Sequence, residues 1–177
     1  MNAQTTEIMR LLLNLIRVGV VIDVDPNNWL CRVQTGELQT GWLNWLTTRA
    51  GRARTWWKPS QGEQVLLLAI GGELTTAFVL PAIFSNDNPP PSASDDALVT
   101  VFPDGARFEY EPANGQLLID GVKSVVLNAD TLTLNAAVTI NGQVTQQGGD
   151  MSSNGVVVHT HQHGGVQGGG SNTGGPV

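Results

Sequence analysis

TLTLNAAVTINGQV, residues 131–144, alternates apolar and polar side chains along its length. Successive side chains of an extended chain point to opposite faces, so Leu132, Leu134, Ala136, Val138, Ile140, Gly142 and Val144 share one face. Thr131, Thr133, Asn135, Thr139, Asn141 and Gln143 oppose them. Upstream, Val125, Leu127 and Ala129 hold the other phase. A one-residue slip exchanges faces, which predicts a bend or bulge at Asp130. Earlier still, Phe108 and Tyr110 alternate with Arg107, Glu109 and Glu111. Turns are expected at Pro103-Asp104-Gly105 and Pro112-Ala113-Asn114-Gly115, with Leu117 and Ile119 following. The alternation predicts that Glu109 and Glu111 face solvent. A single copy of this segment, with modest apolar side chains, no helix and no disulfide, cannot close a good core and leaves long unpaired edges. Three intertwined copies remove both problems. Each apolar face then turns to a common axis and the Thr/Asn/Gln face meets water, giving a triangular β-prism. The competing local reading makes Asn141-Gly142 a type I′ hairpin turn.

Further on, Val156-Val157-Val158 runs into His159-Thr160-His161-Gln162-His163, which holds all three histidines of the chain. At i, i+2 and i+4 of an extended segment the three imidazoles emerge on one side, about 6.5–7 Å apart. One chain alone makes a poor metal site from such a row. Three chains around an axis, giving two histidines each, supply six nitrogens, an octahedral set that suits iron or nickel better than tetrahedral zinc. The alternative is a solvated tail, or a weak surface site for adventitious metal. The glycine-rich stretch that follows suits a chain that turns sharply in a crowded place.

The chain has 177 residues and a net charge of −6, with only nine basic residues. Phosphate recognition rests on clustered Lys and Arg, so nucleic acid is not an expected partner. A lone cysteine, Cys31, excludes an intrachain disulfide and reads as a small buried hydrophobe. No signal peptide is expected, because Leu11 to Ile16 is interrupted by Asn14 and preceded by Glu7. No apolar run approaches the ~18–20 residues needed to span a bilayer.

Asn86-Asp87-Asn88-Pro89-Pro90-Pro91-Ser92-Ala93-Ser94-Asp95-Asp96 reads as a linker. All five tryptophans precede it. In that first part Ile8, Leu11, Leu12 and Leu15 follow a helical period, predicting a helix over 2–17 whose apolar face is core or packs on sister chains. Strands are expected at 18–24, 29–35, 41–46, 63–70 and 76–84, with turns at Asp25-Pro26-Asn27-Asn28 and Gly71-Gly72. Five short strands in this span suggest a small Greek-key barrel of the OB type. The fold class is therefore all-β: a short N-terminal helix plus OB-fold barrel over 1–90, a linker at 91–98, a trimeric intertwined β-helix over 99–155 and a metal-binding tip over 156–177.

With these residues in place, the chain resembles the central spike of contractile injection systems, the phage baseplate assembly protein V family, which includes spikes of R-type bacteriocins. TGWLNWLTTRAGRARTWWKPSQGEQVLLL (40–68), LPAIFSNDNPPP (80–91), VTVFPDGARFEYEPANGQL (99–117) and HTHQHGGVQGGGSNTGGPV (159–177) carry the resemblance, which covers most of the chain. It implies an N-terminal OB domain, a C-terminal three-stranded intertwined β-helix that tapers to a tip, and a structural iron held there by a His-x-His from each of three chains. Aligned on Gly164-Gly165-Val166, the ligands are His161 and His163, with His159 one step from the tip. Aligned on His-Thr-His instead, they are His159 and His161. The implied partners are two further copies of the chain, the baseplate hub and the tail tube. The implied role is to pierce the outer membrane of a target bacterium, as part of a tail or bacteriocin particle assembled in the bacterial cytoplasm.

Two rivals follow from the residues. An enzyme would draw a carboxylate pair from Asp104, Glu109, Glu111 and Asp120, but no nucleophile or phosphate-loop motif accompanies them, and no catalysis is expected. An OB-fold module for nucleic acid or carbohydrate would use Trp42, Trp45, Trp56 and Trp57 as stacking platforms beside Arg49, Arg52, Arg54 and Lys58. Against this, the same residues serve as core and subunit-interface anchors, or dock the spike to the hub.

Overall fold

The computed structural model describes residues 2–162, 165, 169 and 170. The chain divides into two units, Met1–Val125 and Val126–Val177. The first begins with helix α1 (Ala3–Asn14), capped by Asn2, whose side chain accepts from the Thr5 amide at 2.8 Å. Such a cap satisfies one of the amides that a helix start leaves orphaned. The helix stops three residues short of the expected Arg17. Arg17 reaches back to the buried Asn14 Oδ1 at 2.8 Å, and the β-branched Ile16 and Val18 begin a strand. Ile8, Met9, Leu12 and Leu13 remain exposed. Leu11 lies over Gly72, where a Cβ would meet the Leu11 backbone.

Strand β1 (Ile16–Asp25) pairs with β2 (Leu30–Thr35) on one side and with β5 (Gln64–Ala69) on the other, both antiparallel. The connecting turn is held by Asp25, whose Oδ1 accepts the amides of Asn27 and Asn28 at 3.0 and 3.2 Å. Sequence reading places one strand over 41–46. The structure divides the stretch between β3 (Leu38–Gln39) and β4 (Leu43–Asn44), both on β2, because Thr40 turns inward and its hydroxyl accepts the Val33 amide. β6 (Ala77–Ile83) pairs with β5, and a parallel contact between Trp45 and Val79, with the Leu46 amide on the Val79 carbonyl at 2.8 Å, closes the ring. The cyclic order β1-β2-β4-β6-β5 is that of the expected five-stranded Greek-key barrel.

In β2 and β5 every second residue is buried, which is the period-two pattern of a sheet with one face in a core. The core is Val21, Cys31, Val33, Leu43, Val65, Leu67, Ala69, Ala77 and Val79. Gly19 allows β1 to cross β2 closely, since a Cβ there would strike Val33 and lie 2.7 Å from the Gln34 carbonyl oxygen.

Beyond the proline segment an antiparallel meander follows: β7 (Leu98–Val101), β8 (Arg107–Glu111) and β9 (Gln116–Asp120). Its two turns are those expected, with Gly105 and Gly115 at positive φ. The facing is the reverse of expectation. Phe108 and Tyr110 are exposed with Leu98, Leu117 and Ile119, which the register sets beside them, while Glu109 is part-buried against Arg107. Arg107 and Glu109 pair with each other on the part-buried face.

In the second unit, residues 126–151 form no ladder within the chain, and Leu132, Leu134, Val138, Ile140 and Val144 are exposed. The chain bends at Asp130 as the phase change requires. No hairpin forms at Asn141-Gly142. The Asn-Gly hairpin of this unit lies at Asn154-Gly155, both at positive φ, between β10 (Ser152–Ser153) and β11 (Val156–Val157).

Candidate functional site

The histidine segment leaves this last hairpin. Pairing of Ser152 with Val157 and of the Val158 amide with the Met151 carbonyl at 2.8 Å sets Asp150 opposite His159. The His159 Nε2 lies 3.5 Å from the Asp150 carboxylate. Val158–Thr160 form a turn, and the Thr160 amide reaches back to the Val157 carbonyl at 3.4 Å. The straight row expected of an extended strand is therefore not kept by His159 and His161. The backbone bonds to itself there, since β11 has no second strand to continue along.

His161 Nδ1 sits 2.7 Å from the Val158 carbonyl oxygen. A carbonyl accepts only, so Nδ1 is the donor in this contact. Metal-ligating histidines are oriented in this way by a hydrogen bond on the other ring nitrogen. His163 lies outside the described residues. Among those described, no three His, Cys, Asp or Glu side chains converge as one metal site.

Three of the four carboxylates weighed for catalysis have a structural task. Asp104 accepts the Ala106 amide at 3.1 Å, Glu111 the Ala113 amide at 3.0 Å, and Glu109 binds Arg107. Asp120 stands opposite Arg107 in the ladder. The tryptophans divide. Trp45 packs on the barrel core and meets Trp56 edge-on at 5.8 Å, and Arg32 covers Trp42 at 5.9 Å. Trp57 stacks on Phe102 at 6.1 Å, and Phe102 meets Phe108 at 5.3 Å. Trp56 and Trp57 are nonetheless 62% and 66% exposed. The Phe102 bridge escaped sequence reading, since nothing in the spacing of residues 57, 102 and 108 signals a contact.

Residues 17–84, from β1 through β6, match the Type VI secretion system/phage-baseplate injector OB domain, and residues 155–177 match the GpV Apex motif. Over an alignment 209 positions long the chain is 45% identical to the spike protein of Escherichia phage P2, spanning 99% of this chain and 98% of that protein. The chain belongs to the phage baseplate spike family. For this spike, the barrel with its closing β4–β6 contact is the OB domain, and the apex match begins at Gly155, the hairpin glycine. The family is a component of the phage tail baseplate. Among the described residues, no helix is long and apolar enough to cross a membrane.

Proposed function

We propose that the chain is the homotrimeric central spike of a contractile tail, a non-enzymatic point driven through the outer membrane of the target bacterium when the sheath contracts. The observation that carries this reading is the apolar face at 132–144, exposed along its length in a single chain that belongs to a spike family. Two further copies are the covering that satisfies alternate apolar residues in a segment with no ladder of its own. In this reading 1–90 is the helix and OB domain that faces hub and tube, 91–98 the linker, 99–155 the intertwined β-helix and 156–177 the tip.

The tip is closed by one iron ion bound by His161 and His163 of each chain. The donor chemistry fits: imidazole is an iron ligand, and a hydrogen bond from one ring nitrogen, as His161 Nδ1 makes to the Val158 carbonyl, is how ligating histidines are oriented. The ion supplies a cross-link at the apex, where strands have fewest neighbours, worth of order 10 kcal/mol for a structural site. His159, held toward Asp150, precedes the ligand pair in the chain.

The test combines light scattering with elemental analysis of the purified protein and of His161→Ala/His163→Ala. The expected result is a mass of three times 18.8 kDa with one iron per three chains, the iron being lost in the double variant. A metal-free monomer overturns both the trimer and its tip.

A further inference from the structure

Eight of the nine basic residues fall into two groups. Arg10 is held by Glu7 and Glu73, Arg17 by Asn14 and Thr35, Arg32 by the Thr40 carbonyl, and Arg107 by Glu109. The side chains of Arg49, Arg52, Arg54 and Lys58 make no ion pair or hydrogen bond with the described residues, although all are exposed on one loop. That loop is ordered: the Thr55 amide donates to the Arg49 carbonyl at 3.0 Å, the Arg49 amide to Thr55 Oγ1 at 3.1 Å, and the Thr47 and Thr55 hydroxyls meet at 2.8 Å. Four of the nine cations of an acidic chain are thus presented on one ordered loop, with no ion-pair partner among the described residues.

Beneath the loop runs an open groove of about 1040 Å³, lined among others by Trp56, Trp57, Pro81 and Phe84, with Asn88 and Pro89 forming part of its wall. The linker that starts at this wall carries the opposite character. It has three consecutive prolines, and its Asp87, Asp95 and Asp96 are exposed with no ion pair among the described residues. Proline runs enter aromatic-lined grooves at low entropic cost because their extended form is already set. Complementary charge at the rim fixes register and partner. The chain's own linker supplies one wall of the groove without bringing an aspartate to the cations, which leaves both charge sets for a neighbour.

We propose that the Arg49–Lys58 loop and its Trp56/Trp57 groove receive the Asp87–Asp96 linker of a second copy, so that each OB domain clasps the next at the root of the spike. This rests on the trimer proposed above. It adds a named interface, separate from the 131–144 face and from the apex.

The test is a disulfide trap. In Arg52→Cys/Asp95→Cys, oxidation is expected to give a covalent trimer on a denaturing, non-reducing gel, because each loop is joined to the next linker. Cys31 is buried and stays out of the reaction. A charge variant, Arg49→Glu/Arg52→Glu/Arg54→Glu, is expected to speed elastase cleavage of the linker at Ala93 about tenfold, and Asp87→Lys/Asp95→Lys/Asp96→Lys added to it to restore protection. Intrachain disulfide alone, or unchanged cleavage in a wild type that is trimeric, overturns the interface and leaves the spike reading standing. A monomeric wild type overturns the spike reading itself. Binding of a single-stranded oligonucleotide that weakens steeply with salt and is lost in the triple-Glu variant overturns the proposal in favour of a nucleic-acid loop.

Discussion

At the scale of single residues, Cys31 shows how burial decides chemistry. It has no exposed surface and lies among Val21, Val33 and Leu43. Loss of hydration, with the nearby Glu63 charge second, pushes its thiol from the ordinary 9.0 up to about 11. A thiol is reactive as thiolate, so Cys31 is inert in the folded barrel. At pH 8 a maleimide is expected to label it only after denaturant is added. The unfolded chain releases the proton first, so stability is unaffected below pH 9.0 and falls as pH rises from there toward 11. Cys31→Val abolishes that alkaline fall. Urea midpoints of the two proteins between pH 7 and 11 check it, and parallel curves refute the assignment. The lone cysteine between Leu30 and Arg32 was legible as a buried hydrophobe from its strand context alone. The facing of Glu109 was not, because alternation gives two faces without saying which is covered.

At the scale of elements, the strands of the barrel were readable because each carries a period-two pattern and ends in turn residues, as at Asp25-Pro26-Asn27-Asn28. Short pieces such as Leu38–Gln39 were not, since two residues hold no period. Contacts between elements distant in sequence were equally silent. The stack Trp57–Phe102–Phe108 ties the loop after Arg54 to the first turn of the meander. Each aromatic pair is worth about 0.5–1.5 kcal/mol beyond its buried area. Phe102→Ala removes both and is expected to cost about 1–3 kcal/mol, with Phe102→Leu losing less. Thermal unfolding followed by tryptophan emission reads both the loss and the release of Trp57. An unchanged midpoint with Trp57 emission unshifted refutes the bridge.

For the whole molecule, one chain satisfies its barrel and leaves the rest of its apolar surface uncovered. The exposed residues of β7–β9 and the alternate residues of 131–144 are two such stretches; Phe102 meets Phe108 in the first, while the second forms no ladder among the described residues. The alternation in the second stretch was legible; its partner strands were not, because a ladder between copies leaves no mark in one copy's sequence beyond the unmet pattern. The proposed trimer brings three copies of Leu134 and Ile140 toward one axis. An aspartate at either position then sets three carboxylates in an apolar interior without partners, each costing several kcal/mol. Leu134→Asp/Ile140→Asp is therefore expected to run as an 18.8 kDa monomer by light scattering, with the barrel's thermal transition and tryptophan emission intact, since the barrel core shares no residue with the 131–144 face. Thr133→Asp/Asn141→Asp, on the opposite face, is expected to leave the mass at three copies. Polar-face carboxylates that dissociate the assembly, or apolar-face ones that do not, refute the inward facing of Leu134 and Ile140 and require a different wrapping of the chains.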